Sequence, residues 1–399
     1  MSDQHEARYA DPDALVAEAF AALLPAERVD VATHAARRRW LANEGGGYVG
    51  RWQHELAPYL VGPMEALTQD HLTVAVAGPG QCGKTSIAEN WLLQTVETDP
   101  ADLLWYMQTE AGVAAYVKGR IGPMIEQHDG LKSRQGLRAV DDSLHYKRFK
   151  GCRIEFLSAT ASNLINKSAP RIVGDELDAY PAELGDVKVL LDVRRQTYGR
   201  DSRLLAMSHP DRARGLVPGR DWTDGIMALY ADSDRRAWWW PCPHCGAWSS
   251  PVPGTARHMA LVYPEDAPLE TIEREARLAC PSNGCLVEDG ERRSMNLRGR
   301  WIGLGQEIAE DGTVAGQLAK RSTAGFWIVG AMSPFVLGGI GALARARAKA
   351  LREWEAGGGE DTLRQVVVKQ WGIPYAPPRR VGSLDAAALA DRAEPGLAL

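Results

Sequence analysis

Between residues 72 and 210, apolar positions come in short runs separated by stretches with helical spacing. The runs "LTVAVAG" (72–78), "DLLWYMQ" (102–108), "CRIEFLSA" (152–159), "PRIVGD" (170–175) and "SRLLAMSHP" (202–210) read as strands. Strands joined by connections of this length pair in parallel, because a parallel neighbour needs a crossover, and the crossovers cover the sheet. The expected fold is therefore α/β, a mostly parallel sheet flanked by helices. Upstream, residues 12–24 and 30–42 read as helices, the second closed by the glycine stretch at 43–47. Beyond residue 221 the pattern changes. "WWWPCPHCGAW" and a later cysteine pair interrupt it, an apolar run covers 323–339, and helices are expected over 342–356 and 361–370. This divides the chain into a helical lead-in (1–48), a core (49–220), a cysteine-bearing region (221–305), a remainder of the core (306–378) and a trailing linker (379–399).

Composition narrows the classes. A length of 399 residues suits two to three domains, and 45% hydrophobic with 24% charged residues is ordinary for a globular protein. The net charge of −5 excludes a chain that is basic throughout, so any DNA contact is local. Basic clusters occur at Arg37–Arg39, at Lys147, Arg148 and Lys150, at Arg194 and Arg195, and at Arg292, Arg293, Arg298 and Arg300. Their plain reading is a solvated face or helix end. No run of about 18 apolar residues is free of charge, so no membrane span is expected. The N-terminal sequence lacks the basic and apolar regions of a signal peptide, which points to the cytoplasm.

The first run leads into "GPGQCGKT", which satisfies G-x-x-x-x-G-K-[ST] between a strand and a helix. Gly78, Pro79, Gly80, Gln81, Cys82, Gly83, Lys84, Thr85 and Ser86 are the expected phosphate cradle. Backbone N–H groups wrap the phosphates, Lys84 reaches the outer ones, and the Thr85 hydroxyl faces Mg²⁺. Cys82 reads as a small residue of the loop or as a thiol activated by the helix dipole. A second strand ends in Asp175-Glu176. There Asp175 is expected to hold Mg²⁺ and Glu176 to polarise the attacking water, which makes the site hydrolytic. Asp178 either extends this acidic cluster or caps a helix. Gln108, Thr109 and Glu110, and likewise Ser208 and His209, stand at strand ends as γ-phosphate sensors or as loop caps.

Cys242 and Cys245 form a C-x₂-C pair, and Cys280 and Cys285 a C-x₄-C pair. Four thiolates suit a tetrahedral, structural Zn²⁺ with no open position, and disulfides are the rival reading. His244 reads as a neighbour, not a ligand.

Together these elements resemble the large terminase subunit of lambda-like tailed phages, the GpA type. The resemblance rests on "GRWQHELAPYLVGPMEAL", "GPGQCGKT", "SATASNLINKSAPRIVGDELDAYP", "WWWPCPHCGAW", "LACPSNGC", "LRGRWI", "FWIVGAMSPF" and "LRQVVVKQWGIPY". It implies a P-loop NTPase of the RecA/ASCE kind with a small zinc-ribbon-like insertion, using ATP and Mg²⁺ to pump double-stranded DNA into a procapsid. It also implies a portal protein and a small terminase subunit as partners, homo-oligomeric assembly, and work in the host cytoplasm. Residues 52–59 would lie near the adenine, although Leu60 stands where related ATPases often carry Gln. An arginine finger would come from Arg120, Arg194, Arg195 or Arg200. The family couples its ATPase to an endonuclease, and the cutting module is expected to be missing here. The competing readings are a helicase-like ATPase, which needs a second RecA-like sheet, and a non-enzymatic zinc-bearing DNA-binding or assembly module.

Overall fold

The computed structural model describes residues 11–13, 16, 29–43, 48–213 and 222–378. Most of the helix expected over 12–24, the core of the glycine stretch and the segment from 379 lie outside the described residues.

One sheet of ten strands organises the chain. In chain order these are β1 (Thr73–Ala77), β2 (Leu103–Met107), β3 (Tyr146–Phe149), β4 (Cys152–Ser158), β5 (Arg171–Asp175), β6 (Arg203–Ser208), β7 (Arg236–Pro241), β8 (Trp248–Ser249), β9 (Arg300–Ile302) and β10 (Thr323–Trp327). The spatial order is β8-β7-β10-β1-β6-β5-β2-β4-β3, with β9 also on β7. Every pair from β7 across to β4 is parallel, whereas β3, β8 and β9 add on antiparallel. β1, β5 and β10 are buried at every position, as expected of strands covered on both faces. All five runs read as strands in the sequence are strands. β10 is an addition: its apolar run gave no alternation to separate strand from buried helix.

Register decides where the chemistry sits. Ala77 at the end of β1 lies opposite Ser208 of β6, and Asp175 of β5 opposite Met207. β6 thus separates the phosphate-loop strand from the carboxylate strand, and the loops leaving all three carboxyl ends converge on one crevice, where open parallel sheets bind ligands.

The second expected helix is shorter than its pattern. It spans Val31–Arg38, and the chain then turns into a hairpin of Trp40–Asn43 with Tyr48–Arg51. Arg39 is extended, and its guanidinium is drawn onto the buried Glu89 at 2.6 Å, which ends the helix.

Of the strands after residue 221, four extend the first sheet, and the rest form two small antiparallel sheets, of three strands within 260–287 and two within 306–316. Neither is the second parallel, RecA-like sheet that the helicase reading needs among the described residues. Aromatic edges hold this extension in place. Trp301 lies edge-on to both Trp238 and Phe326, and Trp238 to Tyr59. No described helix is long and apolar enough to cross a membrane.

The C-terminal helices return to the phosphate loop. Gly339–Glu355 is followed by Asp361–Gln365 and a π-helical turn, Val366–Trp371, that ends at Gly372 with φ +68°. The Gly80 N–H donates to the Lys369 carbonyl at 2.8 Å, and the Trp327 indole N–H donates to the Gly372 carbonyl. A Cβ on Gly372 would stand 2.5 Å from Pro79 Cδ and 2.7 Å from its nitrogen. We expect Gly372→Ala to cost about 1–3 kcal/mol in denaturant unfolding through strain and clash combined. With ψ 32° Gly372 lies in the left-handed region, which alanine enters at about 1–2 kcal/mol, so any loss beyond that comes from contact with Pro79. A loss below about 1 kcal/mol would show that contact with Pro79 is immaterial.

Candidate nucleotide and metal sites

The phosphate loop needs two left-handed residues. Gln81 has φ +57° and Gly83 φ +91°, and Gly83 delivers the chain into the helix Lys84–Thr98. A side chain at Gly83 would also meet Leu60 Cδ1 at 2.7 Å, so glycine is required there twice over. Cys82 is fully buried with its thiol pushed up by burial, which favours the small-residue reading over the activated thiol. The Lys84 ammonium donates to the Gly78 and Pro79 carbonyls at 3.0 and 2.7 Å. It also stands 3.8 Å from a Glu176 oxygen. Loop lysine and strand-end carboxylate thus face each other across the crevice.

Glu176 occupies a left-handed backbone conformation, φ 55° and ψ 50°, uncommon for a residue with a side chain. Such strain persists where the surroundings fix it. His209 provides the fixing: its Nδ1 lies 2.5 Å from Glu176 Oε2, and its backbone N–H donates to the same oxygen at 3.3 Å. Burial alone would raise the Glu176 pKa, but the His209 hydrogen bonds and the Lys84 charge bring it down to about 2. Burial lowers His209 despite its bond to Glu176, so the ring is neutral near pH 7 and Nδ1–H is the donor. Asp175 moves the other way. Burial first, and then the charge of Glu176, push it up to about 7. Two adjacent carboxyls are thereby separated into an ionised Glu176 and an Asp175 poised to exchange a proton.

Beside the loop lies a cavity of about 640 Å³, lined by Trp52, Gln53, Leu56 and Leu60 on one side, Gln81, Gly83 and Ser86 below, and Phe335–Gly338 opposite. This is where residues 52–60 sit relative to the loop. Arg120 lines it as well, paired to Glu89 at 3.1 Å, and Glu89 also holds Arg39 and the Tyr116 hydroxyl. The other finger candidates lie elsewhere. Arg195 is buried against Asp192 and Thr73, Arg194 bonds the Ile165 carbonyl, and neither they nor Arg200 line the cavity.

Of the strand-end polar residues, His209 joins the carboxylates. Ser208 instead accepts from the Asp178 N–H at 3.0 Å. Asp178 turns away from the crevice and accepts from the N–H groups of Asp211, Arg212 and Ile226, so it anchors the start of the helix Gly225–Ala231. Thr109 caps the helix Glu110–Tyr116, and Glu110 bonds Ser158 and His145. Sequence reading did not find the contacts of the C-terminal turn. Lys369 reaches Asp211 through Nζ at 3.3 Å, and Arg364 bonds the same carboxylate at 2.9 Å, behind His209. No local signal in the sequence links positions so far apart.

The sulfurs of Cys242, Cys245, Cys280 and Cys285 all lie within 4.8 Å of one another, and each cysteine is free. The Cys245 and Cys280 sulfurs are 3.7 Å apart. Four thiolates at about 2.3 Å from a tetrahedral Zn²⁺ would sit about 3.8 Å apart, so the donor set fits that ion. The two knuckles are built alike. Gly246 and Gly284, at φ +77° and +66°, donate at 2.9 Å to the carbonyls of Cys242 and Cys280. The Asn283 side chain, and then the Ala247 backbone, bring the Cys245 thiol down to about 6. His244 points to Glu291 at 3.3 Å and away from the sulfurs.

Comparison with known proteins fits this geometry. Residues 46–301 match the family model of the phage terminase large subunit gpA ATPase domain. Residues 323–398 match that of the terminase large subunit gpA endonuclease domain. The second match corrects the expectation that the cutting module is missing. The matched stretch begins at β10, inside the sheet that carries the phosphate loop. No curated protein sequence matches the chain. Among solved structures, the large terminase of bacteriophage HK97 is 11% identical with a TM-score of 0.39, over 51% of this chain and 40% of that one. The large terminase ATPase domain of Thermus phage P74-26 is 15% identical with a TM-score of 0.33, over 49% of this chain and 76% of that one. A point mutant of the same domain gives 15% and 0.32. The ATPase-domain match spans more than half of the sequence, and the chain belongs to the family of phage terminase large subunits of the gpA type.

Proposed function

We propose that this chain is the ATP-hydrolysing motor of viral DNA packaging, translocating double-stranded DNA into a procapsid in the host cytoplasm. The observation that carries the proposal is the meeting of Lys84 and Glu176 across the ends of β1 and β5, with His209 from β6 between them. A module that only binds needs no ionised carboxylate held at the edge of a phosphate loop.

In this reading the backbone of Gly78–Ser86 and the Lys84 ammonium bind the phosphates of ATP, and Lys84 exchanges its two carbonyl partners for phosphate oxygens. Thr85 and Asp175 hold Mg²⁺, which when bound neutralises charge on the transferred phosphoryl group. Asp175 would have to be a carboxylate to hold that cation, and its raised pKa of about 7 makes this dependent on pH. Glu176 orients and deprotonates the attacking water, and the neutral His209 keeps its carboxylate in place. Residues Trp52–Leu60 receive the base, with apolar contact from Leu60 in place of a directional hydrogen bond. Arg120 is the finger candidate nearest the cavity, positioned by Glu89. Cys242, Cys245, Cys280 and Cys285 hold a structural Zn²⁺. A portal protein and a small terminase subunit are the expected partners, with several copies of the chain acting together.

Lys84→Ala should abolish ATP turnover by the purified chain, and full turnover in that variant would overturn the site. Glu176→Gln should still bind ATP but turn over at least about 100-fold more slowly, because it removes the group that handles the water proton. Metal analysis of freshly purified, denatured protein should find one Zn²⁺ per chain, with Cys245→Ser lowering both zinc content and thermal stability. Protein free of zinc at full stability contradicts the metal assignment.

A further inference from the structure

The edge of the sheet remote from the cysteine cluster carries a charge arrangement that the ATPase reading does not use. β3 ends in Arg148 and Phe149, Lys150 follows it directly, and the segment Arg134–Gly136 lies antiparallel along this stretch. The Lys150 N–H donates to the Arg134 carbonyl at 2.7 Å, and the Gly136 N–H to the Arg148 carbonyl at 2.8 Å, around a Gln135–Phe149 bridge. This register sets Arg134 directly opposite Lys150. Like charges in that position destabilise an antiparallel pair.

No ion pair offsets the cost. Among the described residues, Lys132, Arg134, Arg148 and Lys150 form no ion pair, whereas the acids alongside are committed: Asp141 to Arg138 and Asp142 to Lys147. Arg134 and Lys150 line a depression of about 710 Å³ together with Arg37 and Arg38 from the last turn of the helix Val31–Arg38. Its acids are Glu97, held by His34 and Arg38, and Asp129. Two of the basic clusters visible in the sequence, around Arg37 and around Lys150, therefore face one groove.

Protection of a sheet edge calls for charge. It does not call for opposed cations that share a depression with a basic helix end from far away in the chain. We infer that this groove binds the phosphodiester backbone of duplex DNA, with Arg134 and Lys150 contacting phosphates and Arg38, paired to Glu97, adding only to the surrounding field. The inference rests on the packaging-motor reading and locates its DNA contact. The groove contacts phosphates and leaves base edges unread, so it is indifferent to sequence, as a surface that must pass every base pair has to be.

The test measures binding of a random-sequence duplex to the full chain as a function of salt, for wild type, Arg134→Ala/Lys150→Ala and Arg134→Lys/Lys150→Arg. Removing two phosphate contacts should flatten the slope of log affinity against log salt by about 1.8 and weaken binding for every sequence alike. The charge-conserving pair should keep the wild-type slope, both variants should keep DNA-independent ATP turnover, and the alanine pair should melt no lower than wild type. A wild-type slope in the alanine variant overturns the groove while leaving the motor reading in place. So does loss of chain assembly without change in slope, which would mark the face as a protein contact. A wild-type chain that binds no duplex overturns both.

Discussion

Everything at the nucleotide crevice depends on one turn, the left-handed step at Glu176 that ends β5. It places two carboxyls of one strand in different surroundings: Asp175 remains in the sheet, while Glu176 swings toward Lys84 and His209. Had the backbone continued as a strand, Glu176 would point to the opposite face of the sheet from Asp175 and out of reach of the loop. The turn is held from several directions. The Asp178 N–H is bound by Ser208, and the Asp178 carboxylate by backbone N–H groups following β6 and opening the next helix. Asp178, which looks in sequence like part of the acidic cluster, is thus an anchor of the turn beside it.

The same crevice is closed from behind by the end of the described chain. Lys369 touches the phosphate loop through its carbonyl and Asp211 through its ammonium, so one residue spans the loops that follow β1 and β6. A π-helical turn presents it. Such turns expose a carbonyl that an α-helix would use internally, and they recur at functional positions. This part of the chain also falls within the stretch that matches the terminase endonuclease domain. The boundary between ATPase and endonuclease matches therefore does not coincide with a break in packing.

What the sequence disclosed follows from the range of the forces involved. The five strands, the phosphate loop and the Asp-Glu pair were legible because each depends on neighbours a few residues away: apolar runs, glycines at strained φ, acids at a strand end. The four cysteines were legible because their spacing follows local knuckle geometry. Helix 30–42 was overread, since its pattern continues past Arg38 but the ion pair to Glu89 diverts the chain. His209 was visible as a polar residue at a strand end, and its role was not, because that depends on which strand lies between β1 and β5. Lys369, Arg364 and Gly372 carry no mark in the sequence. Their contacts are set by long-range packing, which periodicity does not encode.

Strand order also explains how the cysteine cluster can belong to the same machine without approaching the nucleotide. β7 runs straight into Cys242 and pairs in parallel with β10, which pairs residue for residue with β1. The Trp238–Trp301–Phe326 edges fill the space beside these strands, and close contacts at Gly62 and Gly299 leave little room for sliding. Close-packed interiors resist small displacements, so strands joined this way move together or not at all. The knuckles thus end a strand that would otherwise fray, and they brace the far flank of the β1–β10 pair. The burial of Asp175 and Glu176 opposes their ionised forms and needs a rigid scaffold to be maintained. The cysteine-bearing region supplies part of that rigidity from outside the crevice.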